Sequence, residues 1–111
     1  MTATRPIDRT LAALADPARR RTIELLGQRP RRAGELAQAL GLPPPAMSRH
    51  LRALKDSGLV EETHPEFDAR VRIYALKHGA MADLKKWLAD TEGMLVEQLT
   101  SFKAHVEKRR K

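Results

Sequence analysis

A chain of 111 residues accommodates one domain with one modest core, which excludes a large multi-domain enzyme. Its 21 Lys and Arg against 14 Asp and Glu give a formal charge of +7, favouring a polyanionic partner, nucleic acid first and an anionic membrane surface second. The absence of cysteine excludes disulfides, thiolate metal sites and thiol redox switches, and 4% aromatic residues are too few for a base-stacking platform, so duplex is the nucleic acid expected.

In chain order, Ile7, Leu11 and Leu14 recur at i, i+4 and i+7, predicting an amphipathic helix over roughly the first fifteen residues whose apolar stripe needs a partner. The same segment carries Arg5, Asp8 and Arg9 and no uninterrupted apolar run, so a soluble cytoplasmic protein is expected. Asp16-Pro17 reads as an N-cap followed by proline at the first helical position, opening a second helix through Ile23, Leu25 and Leu26 to about Gly27. Arg29-Pro30-Arg31-Arg32 is a basic turn. Ala33 to Leu40, with Leu36, Ala37 and Leu40 inward, is a third helix ended by Gly41.

Pro43, Pro44 and Pro45 fit only the first turn of a helix, so a fourth begins within that run and extends to about Ser57-Gly58. Met47, Leu51 and Leu54 place one of its faces in the core and leave Ser48, Arg49, Arg52 and Lys55 outward. Leu59 to Thr63 and Arg70 to Leu76 are extended runs flanking a turn-rich loop, hence a hairpin with a projecting tip. From about Gly79 to residue 108, Leu84, Leu88, Leu95, Leu99, Phe102 and Val106 keep helical spacing, with Trp87 and Met94 beside them and a bend or break expected at Gly93. The expected fold is mainly α with a small β-hairpin, in the order α-α-α-α-β-β-α. It forms one domain with a helix-turn-helix at about residues 33–58 and a hairpin at about 59–76. Residues 1–58 hold 11 basic and 5 acidic side chains, whereas 59–76 hold 2 and 4, so the positive excess lies with the helices.

Catalytic chemistry is poorly provided for. Ser48 and His50 stand two apart on one helix and diverge, and neither a glycine-rich phosphate loop nor a carboxylate dyad is present, so neither an enzyme nor a cofactor is expected. The competing class is a basic interaction module for acidic proteins or membrane surfaces.

Four motifs in one order, Ala15-Asp16-Pro17-Ala18-Arg19-Arg20-Arg21, Gly34-Glu35-Leu36-Ala37, Pro45-Ala46-Met47-Ser48-Arg49-His50-Leu51 and Ser57-Gly58-Leu59-Val60, together resemble the ArsR/SmtB family. The resemblance spans roughly residues 8–76 and implies a winged helix-turn-helix repressor. Such a protein would be a homodimer held by its first and last helices, binding a near-palindromic double-stranded operator and leaving it when an effector binds. On this basis the DNA-binding set is Pro44, Pro45, Ala46, Ser48, Arg49, His50 and Arg52, with Arg70 and Arg72 in the wing. The dimer interface would draw on Ile7, Leu11, Leu14, Leu84, Trp87, Leu88, Leu95, Leu99 and Phe102. Arg49 is the first choice for a base contact, because a guanidinium fork matches guanine O6 and N7.

The sequence departs from the family pattern in two places. Pro43-Pro44 replaces the usual Ser-Gln pair before the recognition helix, removing a hydroxyl cap and an amide able to touch DNA. The cysteine-containing metal motif falls on Arg32, Ala33 and Gly34, so a thiolate sensor is excluded. For the family's other metal site the candidates are Asp90, Glu92, His105 and Glu107, whose spacing does not match, and no metal is expected. The Trp-bearing last helix resembles a subgroup without metal ligands, implying a non-metal effector or none.

Overall fold

A computed structural model describes residues 5–109, apart from the side chain of Arg109. The first four residues of the predicted N-terminal helix lie outside the described residues. The chain forms two compact units, one reaching to Met81 and the other beginning at Ala82. The first contains α1 (Pro6–Leu14), α2 (Pro17–Gln28), β1 (Arg31–Arg32), α3 (Ala33–Leu40), α4 (Pro44–Asp56), β2 (Val60–Thr63) and β3 (Ile73–Leu76). The second is a single helix, α5 (Ala82–Arg109).

The corner between α1 and α2 is built by side chains that satisfy backbone groups at helix ends, where the main chain has no partners of its own. Asp16 Oδ1 accepts from the amides of Ala18 at 2.8 Å and Arg19 at 3.2 Å, and Pro17 follows at the first helical position. In the other direction, Arg19 Nε donates to Ala13 O at 2.6 Å, and Arg20 Nη1 donates to Leu14 O at 2.7 Å and Ala15 O at 3.1 Å. One heptapeptide, Ala15 to Arg21, therefore ends one helix and starts the next.

The buried face of α1 differs from the expected stripe. It comprises Ile7, Thr10 and Ala13, while Leu14 is half-buried and Leu11 is exposed. Burial is centred on Thr10, whose hydroxyl donates to Pro6 O at 3.2 Å and so enters without an unmet polar group. Leu11 lies about 100° further round the helix and leaves that face.

Helices α3 and α4 end alike. Gly41 (φ +64) and Gly58 (φ +80) take the left-handed conformation that favours glycine, and the next residue's amide reaches back five positions. Leu42 N donates to Ala37 O at 2.9 Å and Leu59 N to Leu54 O at 3.0 Å. Each stop thereby carries a leucine toward the core, Leu59 fully and Leu42 partly. That core is centred on Leu36, Met47, Leu51, Leu54 and Leu59, with Leu26, Val60 and Tyr74 around them.

The sheet is three-stranded and antiparallel in the order β1-β3-β2, so the expected hairpin gains a strand and the element order becomes α-α-β-α-α-β-β-α. β1 is the segment expected to be only a basic turn. Its two residues pair Arg31 with Tyr74 and Arg32 with Ile73. Arg31 also donates through Nε to Leu25 O at 3.2 Å and through Nη2 to Gln28 Oε1 at 2.8 Å, fastening the end of α2 to the sheet. The third strand begins at Ile73 and not at Arg70, because Asp68 holds residues 68–71 in turns: its Oδ1 accepts from Arg70 N at 3.0 Å and its carbonyl from Val71 N at 3.3 Å.

In the second unit, α5 begins at Ala82, after a turn in which Ala80 N donates to Lys77 O at 2.9 Å, and not at Gly79. It runs unbroken through Gly93, since one interior glycine costs only about 1 kcal/mol against the propagation of the surrounding turns. Leu84 and Trp87 are half-buried, whereas Leu88, Leu95, Leu99 and Phe102 are exposed.

Leu54 has no exposed surface, so Leu54→Ala is expected to destabilise the fold by about 2–5 kcal/mol, read from urea unfolding midpoints. Desolvation raises the pKa of Asp16, but the amides of Arg19 and Ala18 and the charges of His50 and Arg19 outweigh it and hold the carboxyl below its ordinary value of 3.8. A depressed folded-state value contributes stability above the unfolded pKa that is lost as pH falls through the folded one. Thermal melts taken from neutral to acid pH should show Asp16→Ala less stable at neutrality, and Asp16→Asn nearly as stable there but with a flatter acid limb.

Candidate nucleic-acid interface

The outward face of α4 follows from its inward one. Met47, Leu51 and Leu54 are buried, so the 3.6-residue period turns Ser48, Arg49 and Arg52 outward, where all three are exposed, with His50 half-buried at the margin. Among the described residues, no ion pair engages Arg49 or Arg52. Both guanidiniums keep their donors available to an external acceptor.

The start of α4 is short of amide donors. Pro43 caps it, Pro44 and Pro45 occupy its first turn, and Met47 N already donates to Pro43 O at 3.1 Å. Three consecutive residues without N–H leave Ala46 as the free first-turn amide, so attraction of an anion to this end rests mainly on side chains.

A cleft of about 650 Å³ separates α4 from the sheet, and Ser48, Arg49, Arg52, Lys55, Glu62, Arg72 and Tyr74 are among its lining residues. Glu62, on β2, is one of two carboxylates in the lining, the other being Asp56, and its side chain is only 15% exposed. Its Oε2 accepts from Lys55 Nζ at 3.2 Å, and its Oε1 lies 3.5 Å from Arg72 Nε and 3.8 Å from His64 Nε2. His64 Nδ1 is 3.0 Å from Val71 O, an acceptor only, so Nδ1 is the protonated nitrogen and the ring ties the two arms of the wing together. Desolvation pushes the Glu62 carboxyl up, but the Lys55 hydrogen bond and the charges of Lys55, Arg72 and His64 prevail and hold it below the ordinary glutamate range.

Both wing arginines expected to reach DNA therefore stand beside carboxylates. Arg72 faces Glu62, and Arg70 Nε lies 3.3 Å from Asp68 Oδ1 while its side chain remains 93% exposed. Both lie in the loop before β3 and not on the strand. The tip of the wing is Phe67, which is 87% exposed. Glu62 was not among the sequence-derived candidates. The signal for it is the period of two along β2: Val60 points into the core, so Glu62 shares its face and Glu61 points away.

The dimer candidates divide between buried Ile7, half-buried Leu14, Leu84 and Trp87, and exposed Leu11, Leu88, Leu95, Leu99 and Phe102. Of the four weak metal candidates, Asp90 and His105 are fifteen residues apart on one continuous helix, about 22 Å at 1.5 Å per residue. Asp90 and Glu92 therefore cannot meet His105 and Glu107 on one ion within a chain, and no cluster of three ligating side chains occurs among the described residues. None of the described helices is long and apolar enough to cross a membrane.

A helix-turn-helix whose second helix turns unpaired arginines outward, followed by a β-wing, defines a winged helix-turn-helix module. Residues 16–62 match the family described as bacterial regulatory protein, arsR family. The HTH-type transcriptional regulator Rv2034 of Mycobacterium tuberculosis is 45% identical over 60 residues, a match covering 54% of this chain and only 56% of that relative. An ArsR-like transcriptional regulator from Rhodococcus sp. RHA1 superposes with a TM-score of 0.74 at 26% identity, covering 88% of this chain and 90% of that one. A homodimeric winged helix-turn-helix DNA-binding domain from Mycobacterium bovis, described as a possible ArsR-family regulator, gives a TM-score of 0.60 at 29% identity, covering 85% and 82%. Residues 16–62 thus form a helix-turn-helix domain of the arsR type, and the relatives that the chain resembles are described as transcriptional regulators.

Proposed function

We propose that this protein is a homodimeric, sequence-specific double-stranded DNA-binding regulator that represses its own or an adjacent operon, with a non-thiolate effector or none. The observation that carries this reading is the exposed, unpaired pair Arg49 and Arg52 on a helix whose opposite face is locked in the core. A helix so presented fits the major groove, where Arg49 reads guanine O6 and N7 while Ser48, His50 and Arg52 approach phosphates. Pro44, Pro45 and Ala46 bring the start of the helix against the groove, and Arg70 carries the wing toward the neighbouring backbone, with Arg72 beside it paired to Glu62.

Two copies would place their recognition helices about 34 Å apart, matching half-sites one turn from each other. The related M. bovis domain is homodimeric, and exposed apolar residues at 88, 95, 99 and 102 leave α5 with an unpartnered stripe of the kind a second copy covers.

The test is quantitative binding to the duplex upstream of the gene, against scrambled duplex, at several salt concentrations with and without Zn(II). A preference of about a thousandfold or more is expected, with Zn(II) having no effect. Equal and steeply salt-dependent binding to both duplexes would instead mark a general polyanion surface. Arg49→Ala should reduce discrimination at one base position by about 1–3 kcal/mol while leaving scrambled-duplex binding nearly unchanged. Leu99→Glu should lower the apparent mass in sedimentation toward that of one chain and weaken operator binding with it.

A further inference from the structure

Glu62 and Asp56 are the carboxylates in a cleft lined by the cations Arg49, Arg52, Lys55 and Arg72, and Glu62 is placed there by three independent features. The alternation of β2 turns it inward beside Val60, the last turn of α4 delivers Lys55 to one oxygen, and the base of the wing delivers Arg72 to the other. Its partners remain 53% and 65% exposed while its own side chain is 15% exposed, so the carboxylate is the fixed member and the two cations come to it. Arg49 and Arg52, on the same helix as Lys55, have no such partner among the described residues.

Resting on the reading of this face as the DNA-binding surface, we propose that Glu62 is a specificity-determining positioning residue. It ties the wing to the end of the recognition helix and holds Lys55 and Arg72 in ion pairs, so that these two cations do not bind phosphates indiscriminately. Lys55, Glu62 and Arg72 together then carry one net positive charge where the two cations alone would carry two. Sequence-independent affinity is a count of neutralised phosphates, and it is the term that competes with operator recognition. Withholding cations from it raises the ratio of specific to non-specific binding. Glu62 also fixes the separation of helix and wing, because a single carboxylate spans both.

The test compares wild type with Glu62→Gln and Glu62→Met, which remove the charge with a polar and an apolar side chain of similar size. Circular dichroism checks folding, and either variant that folds suffices. Binding to the upstream duplex and to scrambled duplex is titrated over a range of salt. The proposal expects tighter scrambled-duplex binding and a plot of log K against log salt steeper by about 0.9 for each freed cation that takes up a phosphate. It also expects a lower ratio of upstream to scrambled affinity. Adding Lys55→Gln and Arg72→Gln to the same variant should bring the slope back to the wild-type value or below. A folded variant with unchanged slope and unchanged ratio overturns the proposal, and a lowered Tm with both unchanged shows that Glu62 is only a structural tie. Wild-type protein that binds no duplex in a salt-dependent way overturns the DNA-binding reading itself, and the role of Glu62 falls with it.

Discussion

The burial of Met47, Leu51 and Leu54 against Leu36 and Leu59 fixes the rotation of α4, and the rest of the molecule's chemistry depends on that rotation. With three residues of one face fully inside, turning the helix would expose apolar surface worth about 1.5–3 kcal/mol for each large side chain. Ser48, Arg49 and Arg52 face outward as a result, and none of them contributes to holding the helix in place. The glycine stops at Gly41 and Gly58 serve the same end, since each returns a leucine to the core just as a helix finishes.

The net charge of the chain overstates what is available to a partner. Arg19 and Arg20 are committed to the carbonyls at the end of α1, Arg31 to the end of α2, and Arg29 to Glu35, whose own carboxylate accepts from the Arg32 amide at the start of α3. Arg72 and Lys55 share Glu62. Many of the guanidiniums thus complete the backbone, and the unpaired ones on α4 stand out from a background of arginines with local duties. Composition alone cannot separate these two populations, whereas their hydrogen-bond partners do.

Much of the fold was legible where a local signal has one physical meaning. Asp16-Pro17 starts a helix, Gly41 ends one, and the Met47, Leu51 and Leu54 spacing orients one, each as expected. The departures arise where tertiary pairing overrides local preference. β1 has two residues, both arginine, and exists only because β3 offers an open edge. The buried face of α1 admits Thr10 because its hydroxyl finds a carbonyl within its own helix, so hydropathy pointed to Leu11 instead. In the site, Arg49 and Arg52 follow from helical period, but the pairing of Arg72 with Glu62 joins residues ten apart across a hairpin, and only the register of the strands makes them neighbours.

The recognition helix is bounded at both ends by main-chain devices: prolines that can only begin a helix, and a left-handed glycine that can only end one. Neither device uses the exposed side chains at positions 48, 49 and 52, and neither does the core beneath them. The fold therefore separates the part that must stay constant to exist from the outward face of α4. Side chains at those three positions can therefore change with little penalty to stability, so the chemistry of this face can vary while the scaffold stays the same.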